Sequence, residues 1–318
     1  MTTATPTALG VVAGRDLRGL TALVTGATSG LGAETARALA AAGAHVILAG
    51  RDQARGERAA AELSATTKGS AAFDLLDLAD LGSVRAFAAR HAGPPLHVLV
   101  CNAGIMAVPL RRTADGFESQ LGVNHLGHFA LAAALLPALR AAGAARVVSL
   151  SSRGHRRGDV VFDDPNYRHR PYDPWQAYGQ SKTATALFAV GLTRRHAGDG
   201  VTANAVMPGA IRTGLQGHLP GADLVQLGWT RQEDGTLAAP ASWLSPEQGA
   251  ATSVWAATAP ELAGKGGLYL ENCRVAEPWT TDAVPPYGHY LPYAVDPERA
   301  DRLWDLSLRL VAPRGQRR

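Results

Sequence analysis

Cysteine is nearly absent: the 318 residues hold two, Cys101 and Cys273, far apart in the chain. This excludes a disulfide framework and fits a reducing compartment, so a cytoplasmic setting is expected. Aromatic residues make up only 6%. Alanine and glycine abound instead, which favours close packing of helices on a sheet. No apolar run approaches the ~20 residues of a membrane span, so no membrane-crossing segment is expected. The net charge of +4 is mild for this length, and no Lys/Arg block is long enough to form a nucleic-acid stripe. No nucleic-acid partner is expected, and the basic C-terminal end reads as a solvated tail. Met1 to Gly14 lacks the basic region and long apolar run of a secretory signal.

What the chain does contain is ordered. Its 46% hydrophobic content suffices for one large α/β domain or two small ones. Thr21–Thr25 reads as a buried strand, followed by a glycine-rich turn, an alanine-rich helix over Ala33–Ala42 and a second strand over His45–Ala49. The alternation continues: a helix over Gln53–Ser64, a strand near Ala71–Phe73, a helix over Leu81–Arg90 and a strand over Leu96–Cys101. A long helix over Asp115–Arg140, a strand over Arg146–Leu150, a helix over Gln176–His196 and a strand over Val201–Met207 follow. Apolar strands alternating with helices imply a doubly wound parallel sheet of the Rossmann type, covered on both faces. Ligands then bind beyond the carboxyl ends of the strands.

Three stretches break the rhythm. Arg153–Trp175 is polar and carries three prolines; it reads as a long loop. Ala210–Ala241 mixes glycine and proline with apolar residues and reads as a mobile substrate lid. Val275–Pro292 holds four prolines, and a helical period returns over Pro297–Val311. With neither an internal repeat nor an inter-domain linker, a single domain is expected. It comprises a loose N-terminal extension (1–18), a catalytic dinucleotide-binding domain (19–275, with the lid near 210–241) and a C-terminal extension packing on it (276–318).

Three features carry chemistry. In Thr25-Gly-Ala-Thr-Ser-Gly-Leu-Gly32, glycines permit positive φ and close approach of a pyrophosphate, and the helix that starts there aims free N–H groups at an anion. Gly26, Thr28, Ser29, Gly30, Leu31 and Gly32 are therefore candidate cofactor contacts. At the end of the second strand, where NAD sites place an acid, stands Gly50, followed by Arg51. A guanidinium suits the 2′-phosphate of NADP(H). Asp52 is a rival for the ribose, or else caps the next helix. Tyr178 and Lys182 lie four apart, on one face of their helix. An ammonium beside a phenol favours the phenolate, which yields a proton donor/acceptor for a carbonyl or alcohol oxygen.

Seven segments, in order from Leu20 to Thr213, resemble the motifs of the short-chain dehydrogenase/reductase family. Thr25–Gly32 is similar to its TGxxxGxG turn, Leu76-Asp77-Leu78 to its DL segment and Cys101-Asn-Ala-Gly104 to its NNAG motif, with Cys101 in place of the first Asn. Asn124, Ser152, Tyr178 and Lys182 match the catalytic tetrad, and Pro208-Gly-Ala-Ile-Arg-Thr213 resembles the PGxIxT segment. The resemblance implies that Asp77 meets the adenine, beside Leu78, and that Asn102, Ala103, Gly104, Pro208 and Gly209 border the cofactor. It further implies that Ile211 and Thr213 hold the carboxamide, that Lys182 bonds the nicotinamide ribose with Tyr178 beside it among the cofactor contacts, that Ser152 holds the substrate oxygen, and that Asn124 holds a water linking Lys182 to solvent. Ala49-Gly-Arg-Asp52, Gly122-Val-Asn-His-Leu-Gly-His-Phe129 and Ser151-Ser-Arg-Gly-His155 bring the chain nearest to retinol-dehydrogenase-like and protochlorophyllide-reductase-like members. These imply NADP(H), a small lipophilic or polycyclic ketone, aldehyde or alcohol as substrate, and homodimers or homotetramers through the helix bearing Tyr178.

Two alternatives accompany this reading: other chemistry on the same fold, such as enone reduction or epimerisation, and a non-catalytic dinucleotide sensor. No metal site is expected. His125, His128 and His155 have no carboxylate cluster beside them, and packing or hydrogen bonding is the reading for each. Tyr167, Tyr172 and Trp175 either line the substrate mouth or pin their loop, and Trp229 and Trp243 at the lid leave the same choice.

Overall fold

The computed structural model describes residues 5–232 and 234–313. The basic C-terminal end and the first four residues lie outside them. In chain order the elements are α1 (Ala8–Val11), β1 (Thr21–Thr25), α2 (Gly30–Ala41), β2 (His45–Gly50), α3 (Gln53–Thr66), β3 (Ser70–Leu75), α4 (Leu81–His91) and β4 (Val98–Cys101). Then come α5 (Ser119–Leu121), a π turn (Gly122–Leu126), α6 (Gly127–Ala134), α7 (Leu136–Ala141), β5 (Ala145–Leu150), α8 (Pro174–His196) and β6 (Val201–Met207). The remainder is α9 (Gly221–Gln226), β7 (Thr230–Arg231), β8 (Leu237–Ala238), α10 (Pro246–Gly249), α11 (Ala251–Thr258), β9 (Tyr269–Glu271), β10 (Arg274–Val275), β11 (Glu277–Pro278), β12 (His289–Tyr290) and α12 (Pro297–Val311).

The main sheet runs β10-β9-β6-β5-β4-β1-β2-β3. All neighbours pair in parallel except the antiparallel β9–β10 edge. Strand order reverses between β1 and β4, which opens a crevice beyond Thr25 and Cys101. The inner strands β1, β2, β4, β5 and β6 are largely buried on both faces because they are mostly apolar, whereas β3 and β10 at the edges stay partly exposed. Leu23, Leu99 and Val147 join one hydrophobic cluster with α4, α6 and α8, whereas Ala22, Val24, Val98 and Val100 join another with α2 and α11.

Helix starts follow local chemistry. Asp52, Asp80, Asp173 and Asp296 each accept a backbone N–H of the first turn of the helix they precede, worth about 1 kcal/mol per cap. Pro174 therefore begins α8, two residues before the expected start, because proline's missing N–H costs nothing at the first helical position. The expected single helix over Asp115–Arg140 is instead broken into α5, the π turn, α6 and α7. A Cβ on Gly122 or Gly127 would press into Thr113 or the Leu78 carbonyl, so the helix passes close to its neighbours here. Pro137 then withholds an N–H near the start of α7.

The N-terminal stretch, expected to be loose, folds onto the body from Ala8. Ala8, Val12 and Leu17 are buried in the α2/α11 cluster, and Arg15 Nη1 donates to the Thr258 carbonyl at 2.7 Å. At the other end α12 lies along α8: Trp304 meets Phe129 edge-on at 4.9 Å and stacks on Phe188 at 6.3 Å. No described helix is long and apolar enough to cross a membrane.

Candidate active site

The glycine turn leaves β1 at the crevice. Gly26 and Gly30 have φ of +64° and +56°, the left-handed region that glycine tolerates. Gly32 is needed for a different reason: a Cβ there would lie 2.3 Å from the Gly26 carbonyl oxygen. Ser29 precedes α2 but makes no side-chain cap bond. The first N–H groups of a 12-residue helix are thus left for an anion, with the helix dipole behind them. Leu31 reaches toward Ile211, since both would crowd a Cβ on Gly249, and Thr213 lies 3.7 Å from a Cβ position on Gly30. The segment after β6 therefore folds over the glycine turn. Gly209 within it has φ of +107°, next to Pro208.

The turn is held from β4. Asn102 Nδ2 donates to the Thr25 and Gly26 carbonyls at 2.8 and 3.3 Å, and the Asn102 and Ala103 N–H groups both donate to Thr25 Oγ1 at 3.0 Å. His128 completes this knot: its Nδ1 donates to the Asn124 carbonyl at 2.9 Å, and its Nε2 meets Thr25 Oγ1 at 2.8 Å. Burial pushes His128 down to about 4, which keeps it neutral. At β2, Asp52 is spent on capping α3, where it accepts the Arg55 N–H at 3.0 Å. Arg51 is exposed and has no protein partner among the described residues. Thr28 sits beside Gly50. Asp77 Oδ1 accepts the Ala79 N–H at 2.9 Å, and Leu78 is buried beneath α6. This donor set suits a dinucleotide: free helix N–H groups and a bare cradle for a diphosphate, and a guanidinium where a ribose phosphate would lie.

The second half of the site comes from β5, α8 and the π turn. Lys182 Nζ, itself buried, donates to the Leu150 carbonyl at 2.8 Å and lies 5.8 Å from the Tyr178 ring centre. Ser152 Oγ accepts the Gly154 N–H at 3.0 Å, and the Ser152 side chain favours the ionised form of the nearby Tyr178 phenol. Asn124 clamps the chain after β4: its Oδ1 accepts the Ile105 N–H, while Nδ2 donates to the Ile105 carbonyl and to Ser181 Oγ, all at 2.9 Å. Gly104 stands between Asn124 and Lys182, since a Cβ there would lie 3.1 Å from Asn124 Oδ1 and 3.6 Å from Lys182 Nζ.

One electrostatic expectation is corrected. In the protein alone the phenol is not lowered by its lysine. Burial raises Tyr178 to about 12, against a smaller lowering by Ser152, and burial lowers Lys182 to about 8. Desolvation penalises the charged form of each.

Several contributors were not read from sequence. Met106, Ala107 and Leu219 pack with Tyr178, joined by the half-buried Leu215, Leu224 and Leu227 and by Trp175, which the sequence had already offered for this wall. Their helical spacing over Leu215–Leu219 and Leu224–Leu227 was the available signal. Tyr172 settles the choice left open for it: its hydroxyl donates to the Val108 carbonyl at 2.9 Å and contacts Glu118, which pins the loop. Trp229 and Trp243 meet edge-on at 6.0 Å, one on each side of the β7–β8 hairpin. His125 bonds Ser307 Oγ at 2.7 Å.

Comparison with known proteins agrees with this geometry. The family model for short chain dehydrogenase matches residues 20–222. A "Probable oxidoreductase" of Streptomyces lividans is 49% identical, covering 91% of this chain and 97% of its own. Polyprenol dehydrogenase of Mus musculus is 44% identical, covering 93% of this chain and 85% of its own. Among solved structures, an uncharacterized protein from Mycobacterium Paratuberculosis superimposes with a TM-score of 0.70 at 37% identity, over 93% of this chain and 95% of the other. A 3-oxoacyl (acyl-carrier-protein) reductase from Agrobacterium tumefaciens C58, with NADP bound, does so at 0.61 and 27% identity, over 81% and 95%. The chain belongs to the short-chain dehydrogenase/reductase family of oxidoreductases.

Proposed function

We propose that this oxidoreductase uses NADP(H) to interconvert a lipophilic carbonyl and its alcohol, with Tyr178 as proton donor/acceptor. One observation carries the reading: the Ser152–Tyr178–Lys182 cluster stands at the carboxyl edge of the sheet, against an apolar wall of Met106, Ala107 and Leu219. The NADP-bound structural relative and the polyprenol dehydrogenase relative are compatible with both halves of it.

Arg51 and the free N–H groups of α2 would hold the cofactor's phosphates. Ile211 and Thr213, folded over the glycine turn, would hold its carboxamide end. When bound, a nicotinamide would supply the hydride chemistry. Ser152 orients the substrate oxygen, and Tyr178 hands that oxygen a proton in the direction of reduction. A phenol that burial keeps protonated is suited to donate. Lys182, tied to Leu150, supplies the ammonium that stabilises the phenolate left behind. Asn124 fixes Gly104–Ile105 beside the lysine, and residues 210–241 act as the lid over the apolar wall.

The test is a screen of NADPH oxidation, with NADH alongside, over decanal, tetralone, cyclohexenone and small polar ketones, with product analysis. Preferred NADPH use with decanal or tetralone giving an alcohol is the expected result. Faster turnover of the polar ketones refutes the lipophilic assignment, and a saturated ketone obtained from an enone points to the other chemistry.

A further inference from the structure

Ser152 is held by more than its own strand. Its carbonyl accepts three donors: the His155 N–H at 3.0 Å, His155 Nδ1 at 2.7 Å and Tyr269 Oη at 3.2 Å. His155 is fully buried. Its other ring nitrogen, Nε2, accepts the Leu291 N–H at 3.2 Å. A backbone N–H can only donate, so Nε2 carries the lone pair and Nδ1 carries the proton that Ser152 receives. The His155 carbonyl is held as well, by Tyr293 Oη at 2.7 Å and Thr183 Oγ1 at 3.3 Å. The turn between Ser152 and His155 runs against the phenol. A Cβ on Gly154 would lie 2.5 Å from Tyr178 Cε1, and the Gly154 N–H holds Ser152 Oγ. Tyr269 stacks on Tyr290 at 5.5 Å and meets the His155 ring at 5.1 Å.

We propose that His155 is a positioning residue which, braced by Leu291 and Tyr293 of the C-terminal segment, sets the backbone of Ser152 and so aims its hydroxyl at Tyr178. The inference rests on the role given to Ser152 above. It makes the segment beyond β12 part of the active-site framework, although more than 130 residues separate Leu291 from His155 in the chain. The imidazole touches no reacting atom; it acts only through Ser152.

The design of variants follows from the two nitrogens. Asn places an amide N–H near the position of Nδ1 and keeps the bond to Ser152. Gln reaches only the position of Nε2, and Ala keeps neither. Leu291→Pro deletes the brace from the other side. Leu291 has φ of −79°, which proline adopts, and only its N–H is needed here. Measured on the full chain are kcat for NADPH oxidation with decanal, NADPH binding by fluorescence, and Tm. We expect His155→Ala and His155→Gln to lower kcat about tenfold or more, since small misplacements of a catalytic group are costly, with NADPH affinity unchanged. His155→Asn recovers most of the rate, and Leu291→Pro falls between. In the double variant Ser152→Ala/His155→Ala, the second substitution costs nothing further, because a residue acting only through Ser152 has nothing left to aim.

Two outcomes overturn the proposal: a full His155→Ala effect on top of Ser152→Ala, or rates in His155→Asn and His155→Gln that follow their Tm alone. Should His155→Ala fail to fold, Asn, Gln and Leu291→Pro still decide. Wild-type turnover by Ser152→Ala alone would instead refute the role of Ser152 itself, a separate failure.

Discussion

Lys182 Nζ donates to the carbonyl oxygen of Leu150 at 2.8 Å, which fastens the buried ammonium to the last residue of β5, two residues before Ser152. The lysine is thereby placed for chemistry at a cost in stability, because burial lowers it from its usual value to about 8. The unfolded chain holds the proton up to about 10.5, so stability rises as pH climbs from 8 to 10.5, where the unfolded state binds more protons than the folded one. Lys182→Met keeps the apolar stem and removes the charge. It should abolish turnover yet stabilise the fold by roughly 1–3 kcal/mol at pH 7, with the gain shrinking as pH rises through 8 to 10.5. Urea melts of both proteins across this range check the sign; a gain that grows with pH contradicts it.

On the proposed reading, Arg51 carries the cofactor preference. It is exposed, and Asp52 beside it is committed to capping α3. Arg51→Ala should weaken NADPH binding about 10–100-fold, the worth of a charge-assisted hydrogen bond, and leave NADH within about twofold. Steady-state kinetics with both cofactors decide; equal use of NADPH and NADH by the unmodified protein removes the role assigned to Arg51.

The glycine turn makes a steric prediction. Gly32→Ala would bring a Cβ to 2.3 Å from the Gly26 carbonyl oxygen, a backbone atom that cannot yield without reshaping the turn. NADPH binding should fall at least tenfold, while Gly93→Ala, where no atom lies within 4 Å, should bind as the wild type does. Fluorescence titration of the two variants side by side gives the comparison.

Helix α12 is a stabilising element. Trp304 packs on Phe129 and Phe188 and lies under the Arg195 guanidinium at 4.8 Å. Trp304→Ala should cost roughly 2–4 kcal/mol, whereas Leu308→Ala, on the 47% exposed side of the same helix, should stay within about 0.5 kcal/mol. Denaturant unfolding of both measures the difference.

Much of this architecture is legible in the residues. β6 and α12 have the bounds that the sequence pattern gives, because Val201–Met207 is a mostly apolar stretch set between Gly200 and Pro208 and Pro297–Val311 has a clear helical period. The interruption around Asn124 was hidden, because Gly122 and Gly127 look tolerable in a helix until Thr113 and the Leu78 carbonyl are seen against them. The packing of Ala8 and Val12 was equally hidden, since it depends on α11, far along the chain. That Ser152, Tyr178 and Lys182 come together could be expected from motif order. The grip of Leu291 and Tyr293 on His155 could not, because it is made by backbone and by residues in a proline-rich stretch with no period. The sign of the Tyr178 shift was missed because sequence spacing reports proximity and not burial.

The most direct measurement is single-turnover NADPH oxidation with decanal by the wild type and by Tyr178→Phe, with NADPH affinity determined on both. On the proposed reading the phenol supplies the proton and is only one of many contacts to the dinucleotide, so Tyr178→Phe should bind NADPH within a few-fold of the wild type and lose at least ~100-fold in rate. A Tyr178→Phe protein that turns over at the wild-type rate, or a wild-type protein that fails to bind NADPH, would contradict the account.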